Sequence, residues 1–278
     1  MEISLGAVAR VKQFCEFVPQ EEDSECDTDI PDHWPASGTI QFRGVSATYR
    51  IDGSSHEVLN NVSFTIGHGK KLGLSGRTGS GKSSIIAVLL RMVDYTGSIL
   101  VDGRELRTVP RDIVRSRFLS LIQDGIQFKG SVRFNVDPYD PPDIESGNRL
   151  VDQTLIEALT RVGLWAKILA GGGLEAELDD LNLSKGQIQL LAIARAMVRR
   201  DYLLPKIVLI DEATSNIDND TDRNLQALFA EVFKHSTVIM ISHRLYAFDK
   251  MHKVLMLDEG QIEDVLNRDP TSGLLVDR

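Results

Sequence analysis

The sequence is poor in cysteine, in positive charge and in long apolar runs. Of its 278 residues only two are cysteine, Cys15 and Cys26. That excludes a disulfide-stapled scaffold, and without a secretory signal it predicts two plain thiols in a reducing compartment. Glu2 and Arg10 interrupt any apolar stretch at the start, so no signal peptide is read there. No uninterrupted apolar run reaches the roughly 18 residues that mark a membrane-crossing helix. Lys and Arg number 31 against 40 Asp and Glu, a net charge of −9. Nucleic-acid binders usually carry a basic face, so no nucleic-acid partner is expected. What is present is ordinary for a soluble domain: 42% hydrophobic and 26% charged residues. The length suits one large α/β domain, or one with a small insert, and no internal repeat is visible.

The chain divides into an entry segment, residues 1–38, and a globular part, residues 39–278. Val8, Val11, Phe14 and Val18 recur at helical spacing. They form the stripe of a surface helix or the end of a longer one. Glu21, Glu22, Asp23, Glu25, Asp27 and Asp29 follow as an acidic run that reads as a solvated linker. From Thr39 the chain reads as strands at Thr39–Tyr49, Val58–Ile66, Leu72–Ser75, Ser98–Val101 and Phe118–Ile122. Asp102-Gly103 forms a hairpin turn, and a helix is predicted over Lys82–Met92. Residues 131–183 are mostly helical, with Pro138, Pro141 and Pro142 in loops. Helices at Lys185–Arg200 and Thr221–Phe233 then alternate with strands at Ile207–Ile210, Thr237–Ile241 and Val254–Leu257, the last turned by Glu259-Gly260. This predicts an α/β fold with a mostly parallel sheet covered on both faces. An antiparallel β subdomain lies on its N-terminal side, and a helical subdomain is inserted over about residues 131–200.

Gly76-Arg77-Thr78-Gly79-Ser80-Gly81-Lys82-Ser83 satisfies G-x-x-x-x-G-K-[ST] at every fixed position. It follows a predicted strand and opens a predicted helix, the context in which such a loop cradles phosphates. Glycines let backbone N–H groups face an anion, and the helix N-terminus adds partial positive charge. Lys82 is expected on the β- and γ-phosphates and the Ser83 hydroxyl on Mg²⁺, with Ser84 beside them. A chance match would arise in roughly one chain of this length in a hundred, and the strand–loop–helix context lowers that further. Ile207–Ile210 is an apolar strand ending in Asp211 and Glu212. Beside a phosphate loop, Asp211 suits Mg²⁺ and Glu212 suits the orientation of an attacking water. Alone, that pair would be a polar loop start.

Together these residues resemble the ATPase domains of ABC transporters. Leu183-Ser184-Lys185-Gly186-Gln187 is similar to that family's L-S-G-G-Q signature and lies, in the family's order, between the phosphate loop and the acidic strand. The resemblance implies further roles. Tyr49 stacks on adenine, and Gln123 contacts Mg²⁺ and relays to a membrane domain. Ser215-Asn216-Ile217-Asp218 crosses between paired domains, and His243 reaches the γ-phosphate. Ser184, Gly186 and Gln187 contact nucleotide held by a partner. The similarity runs from about Thr39 to Gly260.

Within the family the chain looks most like the second ATPase domain of a multidrug-resistance-associated, subfamily C, full transporter. Leu5–Val11, Trp34-Pro35 and Gly130–Pro138 carry that likeness. So does the pairing of Glu212 with a non-glycine, Lys185, in the signature. Gly125 departs from the family, where a proline commonly stands. The implied activity is hydrolysis of ATP with Mg²⁺, in a site completed by a second such domain, powering export through membrane-spanning domains. The domain would work at the cytoplasmic face of a plasma or vacuolar-type membrane, and the chain itself would be soluble. Two alternatives are an ABC-type ATPase acting on ribosomes or DNA, and a non-hydrolysing nucleotide-binding module. The first would bring basic arms or a second domain, and the second would have lost Glu212 or His243.

Overall fold

The computed structural model describes residues 2–17, 27, 29–51, 54–123, 125–138, 152–269 and 274–277. Most of the acidic run, Cys26, Pro141 and Pro142 lie outside them. The first helix, α1 (Glu2–Phe17), contains Val8, Val11 and Phe14 of the expected stripe, all exposed, while Val18 lies outside the described residues.

A four-stranded antiparallel sheet comes next. It is built from β1 (Ile40–Ile51), β2 (Ser54–Ile66), β4 (Tyr95–Val101) and β5 (Arg104–Glu105), in the order β2-β1-β4-β5. Asp102 and Gly103 make the tight β4–β5 turn with φ of 51° and 81°, the left-handed pair such a turn requires. The Asp102 carboxylate accepts hydrogen bonds from the backbone N–H groups of Ser37, Gly38 and Thr39. Burial works against its charge, but a hydrogen bond from the Ser37 hydroxyl and these backbone bonds prevail and hold its pKa below the usual value. They moor the incoming chain to the sheet. Trp34 is buried against Phe118, and its indole N–H donates to the Val101 carbonyl. The end of the entry segment is therefore packed on the globular part.

The second sheet has seven strands in the order β11 (Leu275–Asp277), β10 (Gln261–Arg268), β9, β3, β8, β7, β6. Its parallel members are β3 (Lys71–Gly76), β6 (Leu119–Leu121), β7 (Ile207–Asp211), β8 (Thr237–Ile241) and β9 (Lys253–Asp258). Side chains alternate between its faces. Ile207, Leu209, Ile239 and Ile241 join the core under the antiparallel sheet and α2 (Lys82–Leu89). Val208, Ile210, Val238 and Met240 join the core under the remaining helices. Both faces are covered, as near-continuous apolar strands demand.

The helices on that second side include α4 (Val132–Val136), α5 (Asp152–Arg161), α6 (Trp165–Ala170), α7 (Lys185–Leu203) and α8 (Asn219–Val232), while α3 (Arg111–Arg117) precedes β6. Helix α2 stops short of the predicted Met92, because Arg91 takes φ 53° and Met92 is exposed. Two strands were not anticipated. β10 (Gln261–Arg268) and β11 (Leu275–Asp277) add an antiparallel extension beyond Gly260. The β10 pattern is hidden because its pairing with β9 shifts register between Ile262 and Asp264, breaking strict alternation.

Candidate nucleotide site

The parallel strands all end on one side of the sheet, where ligands of open α/β folds bind. β3 sits centrally, between β9 and β8, and its end runs into the phosphate loop. The loop's shape depends on glycine at two points. Gly76 takes φ 146°, and a Cβ there would lie 2.2 Å from the Leu257 carbonyl oxygen. Gly81 takes φ 98°, with a Cβ 2.5 Å from the Val58 carbonyl oxygen. Loop and strands are thus in backbone contact that no side chain could tolerate. Arg77, Thr78 and Gly79 are exposed at the crest, while Ser80 and Ser84 are buried. Lys82, 5% exposed, donates to the Gly76 carbonyl at 2.9 Å and the Arg77 carbonyl at 2.7 Å. Its pKa is lowered by burial, against the pull of Glu212 and Asp211.

β7, next to β8, ends at Asp211. Burial raises the Asp211 pKa and the Glu212 charge adds to that. A hydrogen bond from Ser83 and the charges of Lys82 and His243 oppose the rise. One carboxylate oxygen, Oδ1, is buried without a hydrogen-bond partner. Such a group is costly to keep, so an external partner is called for. A hydroxyl and a carboxylate oxygen side by side suit a hard cation. Among the described residues no cluster of three or more His, Cys, Asp or Glu could hold a metal alone. Mg²⁺ characteristically takes one or two protein oxygens and completes its shell with water and phosphate. The Ser80 hydroxyl inside the loop is likewise buried without a partner.

Glu212, next in sequence, has φ 45°, unusual for a non-glycine residue. Its N–H donates to the Ile241 carbonyl at 3.2 Å. His243 follows β8, and its Nε2 lies 2.7 Å from Glu212 Oε1, with the histidine half exposed (51%) and the glutamate largely covered (17%). A proton on Nε2 would be donated to the carboxylate. Lys82, Ser83, Asp211, Glu212 and His243 therefore meet at one end of the sheet.

The remaining expected residues are more dispersed. Gln123 lies beyond β6 with an exposed side chain that makes no hydrogen bond among the described residues. Its backbone carbonyl instead accepts from Gln189, at 2.9 Å. Tyr49 is half-buried on β1 opposite His56 of β2, the strand whose Val58 presses on Gly81. Ser184 is the N-cap of α7. Its hydroxyl accepts from the Gln187 N–H at 3.3 Å, while Gln187 Oε1 accepts from the Ser184 N–H at 3.0 Å and from Lys167 Nζ at 2.8 Å. This is a complete capping box, and Lys185 beside it is exposed. Gly186 allows a close approach, since a Cβ there would lie 2.7 Å from the Asn216 carbonyl oxygen.

Two features escaped the sequence reading. One is Gln189. The other is the buried Asp222, whose carboxylate pairs with Arg244 at 2.7 Å and accepts from the Tyr246 hydroxyl. Arg244 also donates to the Ile217 carbonyl at 2.7 Å, binding the loop after β8 to the loop after β7. Polar residues on otherwise apolar helical stripes were the available signal for both.

A phosphate loop at the end of a central parallel strand, with acidic residues at the end of a nearby one, defines a nucleotide-binding α/β protein of the phosphate-loop class. The chain belongs to the ABC transporter family, whose profile matches residues 59–215, more than half its length. It is 39% identical over 263 residues to the ABC multidrug transporter B of Aspergillus fumigatus, which covers 94% of this chain and 17% of that protein. It is also 39% identical over 278 residues to the ABC transporter atnG of Emericella nidulans, again 17% of that protein. The chain therefore spans about a sixth of these relatives. Among solved structures, a bacterial Atm1-family ABC exporter with ATP bound matches 95% of the chain and 44% of its own, with TM-score 0.78 and 26% identity.

Proposed function

We propose that this chain is the ATP-binding and ATP-hydrolysing domain of an ABC exporter, acting at the cytoplasmic face of a membrane. In this reading it resembles the second ATPase domain of a subfamily C transporter. Its hydrolytic site is completed by the signature of a second ATPase domain, and membrane-spanning domains take up the motion. The observation that carries it is the buried, unpartnered Asp211 Oδ1 beside Ser83, at the foot of a loop bearing Lys82.

Each group then has a task. The loop N–H groups and Lys82 hold the β- and γ-phosphates, and Tyr49 offers a ring to adenine. Ser83 and Asp211 are the residues to hold Mg²⁺, which supplies charge neutralisation to the phosphates. Glu212 orients a water and takes its proton as the water oxygen bonds to the γ-phosphorus and the bond to the leaving ADP oxygen breaks. His243, in contact with Glu212, fixes the carboxylate and faces the γ-phosphate, and Gln123 lies at the edge of the same site. Across the pair, the α7 N-terminus with Ser184, Gly186 and Gln187 faces the partner's nucleotide.

Calorimetric titration of Mg-ATP into the chain tests the assignment. Lys82→Ala removes charge-assisted hydrogen bonds, each about 1.5–3 kcal/mol, so affinity should fall about tenfold or more. Unchanged affinity would place the phosphates elsewhere.

A further inference from the structure

Gln189 lies on the second turn of α7 and is almost wholly buried, at 3% exposure. Its amide nitrogen donates to the Gln123 carbonyl at 2.9 Å and to the Ser215 hydroxyl at 3.1 Å. Its amide oxygen accepts from the Asn216 N–H at 3.0 Å. Both N–H donors and the carbonyl are thus engaged, and the orientation is not arbitrary. A flipped amide would set oxygen against the Gln123 carbonyl and NH₂ against the Asn216 N–H, so two fixed backbone groups forbid it. No other residue type offers this combination at this length. Glutamate lacks the donors, and methionine has neither role.

The partners are all in loops, one following β6 and one following β7. The surrounding backbone leaves no slack. A Cβ on Gly125 would lie 2.8 Å from Ile188 Cγ2 and 2.9 Å from the Ile188 carbonyl oxygen. On Gly186 it would lie 2.7 Å from the Asn216 carbonyl oxygen. Two loops are therefore pressed against the first turns of α7, and one side chain joins all three. Ser215 stands three residues beyond Glu212 and its N–H donates to the Glu212 carbonyl at 3.1 Å. The knot is one backbone bond from the proposed base.

We infer that Gln189 is a positioning residue through which nucleotide at the phosphate loop is felt at the Ser215–Asp218 loop and at the N-terminus of α7. The inference rests on the proposed ATP site. Coupling between sites can be carried by chains of packed side chains and hydrogen bonds, and the three-way amide is such a link. Occupancy that shifts Glu212 or Gln123 pulls on one amide, which transmits to Gly186 and Ser184.

Amide hydrogen exchange on the 278-residue chain tests it, with and without Mg²⁺ and a non-hydrolysable ATP analogue. In the wild type the analogue should alter exchange at 76–84, and also at 184–188 and 214–218. In Gln189→Met, affinity should stay within about threefold and the 76–84 response should remain, while the other two are lost. Gln189→Glu gives an independent check that a packing role alone would not produce. Its carboxylate cannot donate, but its protonated form can donate to one partner. The lost responses should therefore return as pH falls, with no such return in Gln189→Met. Retained responses at 184–188 and 214–218 in Gln189→Met overturn the inference. So does a wild type whose response stops at 76–84, or two variants that simply fail to fold. A folded wild type that binds no Mg-ATP analogue overturns the site assignment instead.

Discussion

Two helices in this molecule begin at functional motifs, and they begin differently. Helix α2 starts after Gly81, a left-handed residue with no side chain to cap the first turn. Helix α7 starts after Ser184, with a complete capping box. Around the first lie unpartnered buried atoms, Ser80 Oγ and Asp211 Oδ1. Around the second, Ser184 and Gln187 satisfy each other and Lys167 adds a further bond. One end leaves buried polar atoms unsatisfied, which on the proposed reading an anion and a cation would finish. The other is finished internally and offers a surface. The contrast suits a site made from two halves, one that grips its nucleotide and one that closes over a neighbour's.

The largest effect should come from the gripping half. Glu212→Gln keeps shape and loses the base. Single-turnover ATP cleavage in a paired assembly should drop roughly 10²–10⁴-fold with Mg-ATP binding intact. Normal cleavage would move the base elsewhere.

A second change sharpens the claim of incompleteness. The Asp211 pKa is raised in the fold, by burial first. A raised carboxyl gives its stability below the unfolded pKa and loses it as pH rises through the folded value. At neutral pH, above the unfolded value, Asp211 therefore works against the ligand-free fold. Asp211→Asn should melt higher than wild type without nucleotide at pH 7.5, the gap closing toward pH 4, and should gain less from Mg-ATP. A lower melting temperature at pH 7.5 would mean that Asp211 is already satisfied.

The smallest effect belongs to the self-contained half. Ser184→Ala removes the acceptor for the Gln187 N–H, which should cost about 0.5–2 kcal/mol of stability in urea unfolding. Binding of Mg-ATP by the chain's own phosphate loop should be untouched. A loss of affinity there would erase the distinction between the two ends.

Much of this was legible in the sequence because local rules agreed with one another. The phosphate loop, the acidic end of β7 and the Asp102-Gly103 and Glu259-Gly260 turns declare themselves through residue types that few other conformations need. The sites of the left-handed residues Asp102 and Glu259 coincide with those predicted turns. What stayed hidden depends on distant partners. Gln189 differs from Gln187 in sequence only by lying on the buried stripe with Ile193, and nothing local says which loops it will meet. Trp34 was assigned to the entry segment, yet its pocket is assembled from β4 and the residue before β6. Gly125 departs from the family's usual proline, and the structure gives a reason in the closeness of Ile188.

The Lys82 ammonium has two acceptors of its own, the Gly76 and Arg77 carbonyls. A phosphate arriving there enters an exchange, displacing two neutral oxygens that return when it leaves. On the proposed reading the lysine would carry a built-in competitor, trimming affinity and favouring departure of spent product. For a domain proposed to empty its site every cycle, a grip with a ready alternative is a matter of turnover.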